Sequence, residues 1–98
     1  MRLVIFTPAA RADLVDARGW YEHEAPDLGR IFLSTVDVVI GRIRSNSRQF
    51  PVVHKSVRRV LLRRFPNALM FVIECDDALT VLACFHGSRD PIRWQQRM

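Results

Sequence analysis

The chain has 98 residues, carries a formal net charge of +5 and is 49% hydrophobic. A chain of this length forms one domain, over residues 1–98, and its hydrophobic content excludes an intrinsically disordered protein. No apolar run approaches the roughly 20 residues needed to span a bilayer, and no signal peptide is recognisable, so the sequence predicts a cytoplasmic protein without a membrane partner.

The first predicted elements are a strand and a helix. Arg2–Phe6 is a short apolar run typical of a strand. Thr7 and Pro8 then favour a helix start, because threonine accepts a hydrogen bond from the first turn and proline has no N–H to satisfy there. Apolar residues follow at helical spacing, which predicts one buried face: Ala10, Leu14, Ala17 and Tyr21.

A second helix is predicted from about Pro26 to Arg44, since Pro26 interrupts the first one. Its apolar residues recur with the period of a helix: Leu28, Phe32, Val36, Val39 and Ile43. Two neighbouring helices with matching apolar faces are typical of an antiparallel hairpin.

Three strands are predicted in the second half of the chain, at Val57–Phe65, Ala68–Cys75 and Ala78–Phe85, because these segments are rich in valine, leucine, isoleucine and phenylalanine. Turns are predicted at 65–67 and 76–77. The element order therefore predicts an α+β fold, β-α-α-β-β-β, with the helical hairpin packed on one face of a mainly antiparallel four-stranded sheet.

The charge is unevenly distributed. Residues 1–45 carry equal numbers of basic and acidic side chains, so the whole positive excess lies in residues 46–98. Arginines dominate it, and their planar guanidinium groups suit carboxylates and phosphates, which indicates an acidic protein segment or a nucleic acid as partner. The predicted binding surface combines four arginines with two apolar anchors that we expect to be exposed: Arg58, Arg59, Val60, Leu62, Arg63 and Arg64.

Catalytic chemistry has weaker support in the sequence. Cleavage of RNA needs a base, an acid and cationic stabilisation, and the residues available for it are Arg59, His86 and Arg89. They include no obvious acid–base pair. Cys75 and Cys84 lack the spacing of a zinc site and are predicted to be reduced core thiols, so we expect neither a metal nor a cofactor.

The whole chain resembles the ParE branch of the RelE/ParE toxin superfamily, the toxins of bacterial type II toxin–antitoxin (plasmid stabilisation) systems. The resemblance is carried by short motifs in a fixed order. They are Thr7-Pro8-Ala9-Ala10, Asp13-Leu14, Trp20-Tyr21-Glu22, Pro26-Asp27-Leu28-Gly29, Phe32, Phe50-Pro51, Val57-Arg58-Arg59, Leu61-Leu62, Arg64-Phe65-Pro66, Val81-Leu82-Ala83, His86, Arg89-Asp90-Pro91 and Trp94.

This resemblance implies the same β-α-α-β-β-β fold and a toxin that a ParD-like acidic antitoxin neutralises. It implies DNA gyrase as the target, bound through an effector end made of His86, Arg89, Asp90, Pro91 and Trp94. One alternative is a RelE-like, ribosome-dependent mRNA endonuclease. Another is an inactive homologue that only binds its antitoxin.

Three positions depart from the pattern of these toxins. Trp94 stands roughly where the nuclease branch has a tyrosine, and Ala68 stands where a strand arginine is common. Both departures favour binding over RNA cleavage. Asn67 replaces the tyrosine that usually follows Phe-Pro, and the sequence alone offers no reason for it.

Overall fold

The protein is described here from a computed structural model, which covers residues 3–75 and 77–86. The chain begins with strand β1 (Leu3–Phe6), continues with helices α1 (Pro8–Glu24) and α2 (Leu28–Ser45), and passes through a short 3-10 turn at Ser47–Gln49. Four strands then follow: β2 (Val52–His54), β3 (Val57–Leu61), β4 (Asn67–Cys75) and β5 (Ala78–His86). Within the described ranges, no helix is long and apolar enough to cross a membrane.

The strands form one mixed sheet in the order β1-β5-β4-β3-β2. Strand β1 pairs in parallel with β5, and the remaining neighbours are antiparallel. The predicted α+β class and the position of the helical hairpin are confirmed. The predicted strand count was wrong by one, because β2 has only three residues after Pro51 and carries no recognisable strand pattern.

Local capping explains where the helices begin. The Thr7 hydroxyl oxygen accepts a hydrogen bond from the Ala10 N–H at 3.0 Å, and Pro8 occupies the first helical position, as predicted. The link between the helices is held by Glu22, whose carboxylate accepts the N–H groups of Asp27 at 3.2 Å and Gly29 at 3.1 Å. This carboxylate therefore caps the start of α2 from the end of α1.

The main core lies between the helical hairpin and one face of the sheet. The predicted core positions of α2 after Leu28, which are Phe32, Val36, Val39 and Ile43, are all buried. They pack with Leu69, Phe71, Leu79 and Val81 of β4 and β5. A second buried cluster occupies the opposite face of the sheet, and its members among residues 3–75 and 77–86 are Val57, Ala68, Met70, Ala83 and Phe85, all in strands.

The helices approach each other closely at Gly29. A methyl group there would lie 2.8 Å from the Arg18 carbonyl oxygen and 3.0 Å from a Glu22 carboxylate oxygen. Because the Arg18 oxygen belongs to the backbone, α2 would have to move away from α1. We expect Gly29→Ala to lower the free energy of unfolding by about 1–2 kcal/mol, measured by urea denaturation.

Gly41 is the matched control, since it lies in the same helix and a methyl group there meets no atom within 4 Å. Gly41→Ala should raise the free energy of unfolding by up to about 1 kcal/mol, because alanine is the better helix former. Equal effects of the two substitutions would show that helix propensity, and not the contact between the helices, decides the outcome.

Candidate functional site

The predicted binding residues between positions 58 and 64 cover the end of β3 and the start of the following loop, and those of β3 are divided between the two faces of the sheet. Val60 and Leu62 are only 3% and 6% exposed and pack beneath the helical hairpin. The prediction that they are exposed anchors for a partner was therefore wrong. The cause is that both faces of β3 mix arginines with apolar residues, so alternation alone does not show which face meets the helices.

Arg58 holds the β2 end of the sheet together. One of its terminal guanidinium nitrogens donates hydrogen bonds to the carbonyl oxygens of Phe50 at 2.6 Å and Arg48 at 3.3 Å. Its side chain is half-buried, on the same face as Val60. These bonds give Arg58 a structural role in fixing the segment before β2.

Arg59 lies on the other face of the sheet. It pairs with Met70, which belongs to the cluster facing away from the helices. His86 pairs instead with Asn67, whose side chain contacts Tyr21 of α1. Because directly paired residues share a face, Arg59 and His86 lie on opposite faces, and the structure does not bring this part of the predicted nuclease set together.

Arg63 and Arg64 are exposed in the β3–β4 loop (residues 62–66), beside α2. Together with four residues of α2 they line a groove of about 370 Å³, which we call the arginine groove: Thr35, Val38, Val39, Arg42, Arg63 and Arg64. Arg63 and Arg64 were predicted to bind a partner. The contribution of α2 to this surface was not predicted.

A second depression, which we call the His86 cleft, lies between α1 and the ends of β4 and β5. Its volume is about 240 Å³, and its lining includes Asp13, Asp16, Trp20, Tyr21, Asn67 and His86. The Trp20 side chain is 59% exposed, and its ring meets that of Tyr21 edge-on at 5.1 Å between centroids. The cleft therefore presents an aromatic wall beside carboxylates.

Two hydrogen bonds fix the floor of the His86 cleft. The Tyr21 hydroxyl donates to the Asn67 side-chain oxygen at 2.5 Å, and an Asp13 carboxylate oxygen accepts the Cys84 N–H at 3.0 Å. Burial, followed by the nearby Asp13 charge, raises the pKa of the Cys84 thiol to about 12. Burial, followed by Cys84, raises the pKa of Tyr21 as well. Both groups are protonated at neutral pH, so neither supplies a nucleophile or a base.

The thiols give a direct test of this arrangement. Both cysteines are free, but Cys75 is exposed, so the prediction of two core thiols was wrong for that residue. At about pH 8, dithionitrobenzoate should modify Cys75 rapidly and Cys84 only after unfolding, because a buried protonated thiol is inert. A Cys75→Ser variant should lose the fast phase. Rapid modification of that variant would contradict the assigned burial.

The raised thiol pKa also predicts how stability depends on pH. The unfolded Cys84 thiol ionises near its ordinary value of 9.0, whereas the folded one ionises near about 12. Its contribution to stability is therefore fully present below pH 9 and is lost as the pH rises towards 12. Comparison with Cys84→Ala isolates this loss from the titration of other groups.

The remaining predicted effector residues are Arg89, Asp90, Pro91 and Trp94, and they lie outside the described residues. Only His86, half-buried at the end of β5, is placed. Within residues 3–75 and 77–86, no three histidine, cysteine or acidic side chains lie close enough together to hold a metal ion.

Comparison with known proteins finds similarity among solved structures. No family model and no curated protein sequence matches the chain. Among solved structures, the chain is similar to one described as the chromosomal ParDE TA system from P. aeruginosa, with 19% identity and a TM-score of 0.76. The match covers 88% of this chain and 96% of the other. The two chains therefore share a fold over nearly their whole length, as the ParE-like sequence pattern predicted.

Proposed function

We propose that this chain is the toxin of a type II toxin–antitoxin system, that a ParD-like acidic antitoxin neutralises it, and that it arrests growth by binding DNA gyrase. The observation that carries the proposal is the shared fold with a chain of a ParDE system, combined with ParE-like motifs distributed from Thr7 to Trp94. Fold alone is weak support for a target, so the choice of target depends on the site.

The described residues favour a toxin that binds over one that cleaves RNA. An RNA-cleaving site needs a base, an acid and a cation around one phosphate. Arg59 and His86, two members of the predicted nuclease set, lie on opposite faces of the sheet and so do not surround one phosphate. The exposed arginines, in contrast, line a groove suited to contact with another protein.

The test is induced expression in bacteria with two simultaneous measurements, DNA supercoiling with double-strand breaks and the integrity of a reporter mRNA. Growth arrest with broken DNA and intact mRNA would support the gyrase target. Cleaved mRNA with normal DNA would overturn it in favour of the endonuclease. Normal growth with a stable antitoxin complex would identify an inactive homologue.

Arg89→Ala is expected to abolish the growth arrest while leaving the chain soluble and folded, because Arg89 belongs to the predicted effector end. Colony counts after induction measure the effect, and circular dichroism checks the fold. Arg18→Ala, which removes an exposed arginine of α1, is the matched control and should remain toxic. Full toxicity of a soluble Arg89→Ala variant would refute the assignment.

A further inference from the structure

The three arginines of the arginine groove have no anionic partner among the described residues. An ion pair joins Arg30 to Asp27, but among the described residues no carboxylate pairs with Arg42, Arg63 or Arg64. Instead, the Arg42 guanidinium carbon lies 5.3 Å from the centre of the Phe50 ring, which orients it beside the groove. Three like charges around one depression repel each other until an anion binds between them.

The middle of the wall that α2 contributes, between Thr35 and Arg42, is apolar. Val38 is 64% exposed. The Thr35 hydroxyl donates to the Ile31 carbonyl oxygen of its own helix at 3.0 Å, so it offers no donor to a ligand. An exposed aliphatic side chain bordered by guanidinium groups fits a ligand that is itself apolar in the centre and acidic at its edges.

The spacing of the groove residues fits a helix. Thr35, Val38 and Arg42 follow one side of α2, and seven residues of helix extend about 10 Å, or two turns. A partner helix laid along this side can seat one aliphatic side chain on Val38. Single-stranded nucleic acid would need aromatic rings for base stacking, and none of the described lining residues is aromatic.

We propose that the arginine groove binds an acidic amphipathic helix of a partner protein, with an aliphatic side chain against Val38 and carboxylates paired with Arg42, Arg63 and Arg64. The preference for an acidic helix is inferred from the charge and shape of the groove. The identity of the partner as the antitoxin rests on the proposed function.

The first test uses the purified full chain and three fluorescent probes. One is a synthetic helical peptide of about 20 residues, long enough to be helical alone, with leucines on one face and glutamates beside them. The others are a peptide of the same composition in scrambled order and a uridine oligonucleotide. We expect the helical peptide to bind most tightly in fluorescence anisotropy titrations.

Variants locate the binding site. Val38→Asp and the double variant Arg63→Glu/Arg64→Glu should each weaken binding of the helical peptide by about tenfold or more. The double variant Arg11→Glu/Arg18→Glu changes the net charge equally on the exposed side of α1 and should bind like the wild type. Circular dichroism of each variant checks that it is folded.

Several results would overturn the inference: no binding of the helical peptide, equal binding of the scrambled one, tighter binding of the oligonucleotide, or equal loss in the α1 control. The growth assay separates this inference from the proposed function. Peptide binding without growth arrest would support the groove as a binding site and contradict the proposed toxin activity. If the Arg63→Glu/Arg64→Glu variant still arrests growth and the antitoxin still neutralises it, the toxin activity is supported and the groove is not the antitoxin site.

Discussion

Replacing Phe32 with alanine is expected to lower the free energy of unfolding by about 3–5 kcal/mol. Phe32 has no exposed surface, and its ring lies 5.1 Å from Tyr21 and 5.3 Å from Phe65, measured between centroids. These three rings join α1, α2 and the β3–β4 loop. The substitution therefore removes apolar contacts and leaves a cavity where three parts of the chain meet.

The loss is large compared with the total stability of a small domain, which is about 5–15 kcal/mol. Guanidinium denaturation at several temperatures, followed by circular dichroism, measures it. Val38→Ala is the control in the same helix, because Val38 is 64% exposed and its truncation should change stability by no more than about 0.5 kcal/mol. A loss below about 1 kcal/mol for Phe32→Ala would contradict the central position of the ring.

The sequence predicts the helical half of this core well, for a physical reason. A helix repeats every 3.6 residues, so the apolar spacing from Phe32 to Ile43 identifies one face without knowledge of the partner. Each of the predicted residues in that range is buried. The same spacing also predicted Tyr21 as a core residue of α1, and its ring lies inside the aromatic cluster.

The sheet is harder to predict from local pattern. In β3, Arg58 and Arg59 point to opposite faces, and each has an apolar residue beside it. Which face is buried depends on where the helical hairpin packs, and that packing involves residues far away in sequence. The prediction therefore exposed Val60 and Leu62, which are buried. Strands β4 and β5 were identified to within one residue, whereas the strand predicted at Val57–Phe65 was too long, because β3 ends at Leu61 and a loop follows.

The arginine groove was only half predicted for a similar reason. Arg63 and Arg64 stand out in the sequence as an adjacent basic pair, but Thr35 and Val38 come from a helix more than 20 residues earlier. Their proximity is a product of how α2 lies on the sheet. A signal was present in the sequence, since Val38 is an apolar residue outside the core face of α2.

The burial of Asn67 likewise depends on a contact with a residue that is distant in sequence. Asn67 is 5% exposed, and its side-chain oxygen accepts the hydroxyl hydrogen of Tyr21, which is 46 residues away. The Asn67 amide oxygen supplies the acceptor that the buried Tyr21 hydroxyl needs. No local pattern reveals such a pair.

We expect Tyr21→Phe to lower the free energy of unfolding by about 1–3 kcal/mol, because the ring remains and the buried Asn67 oxygen loses its donor. Urea denaturation measures this loss. The comparison with Asn67→Ala and with the double variant forms a thermodynamic cycle. If the hydrogen bond is responsible, Tyr21→Phe should cost about 1 kcal/mol less in the Asn67→Ala background.

The location of this bond connects stability to function. Asn67 pairs with His86, so the Tyr21 hydroxyl anchors the point at which β5 ends and the predicted effector residues follow. If that anchor positions the effector end, Tyr21→Phe should reduce toxicity even at temperatures where the variant is fully folded. Gly29→Ala, expected to be similarly destabilised, tests the alternative, because its defect lies between the helices and away from His86. Equal toxicity of the two variants would assign the hydrogen bond to stability alone.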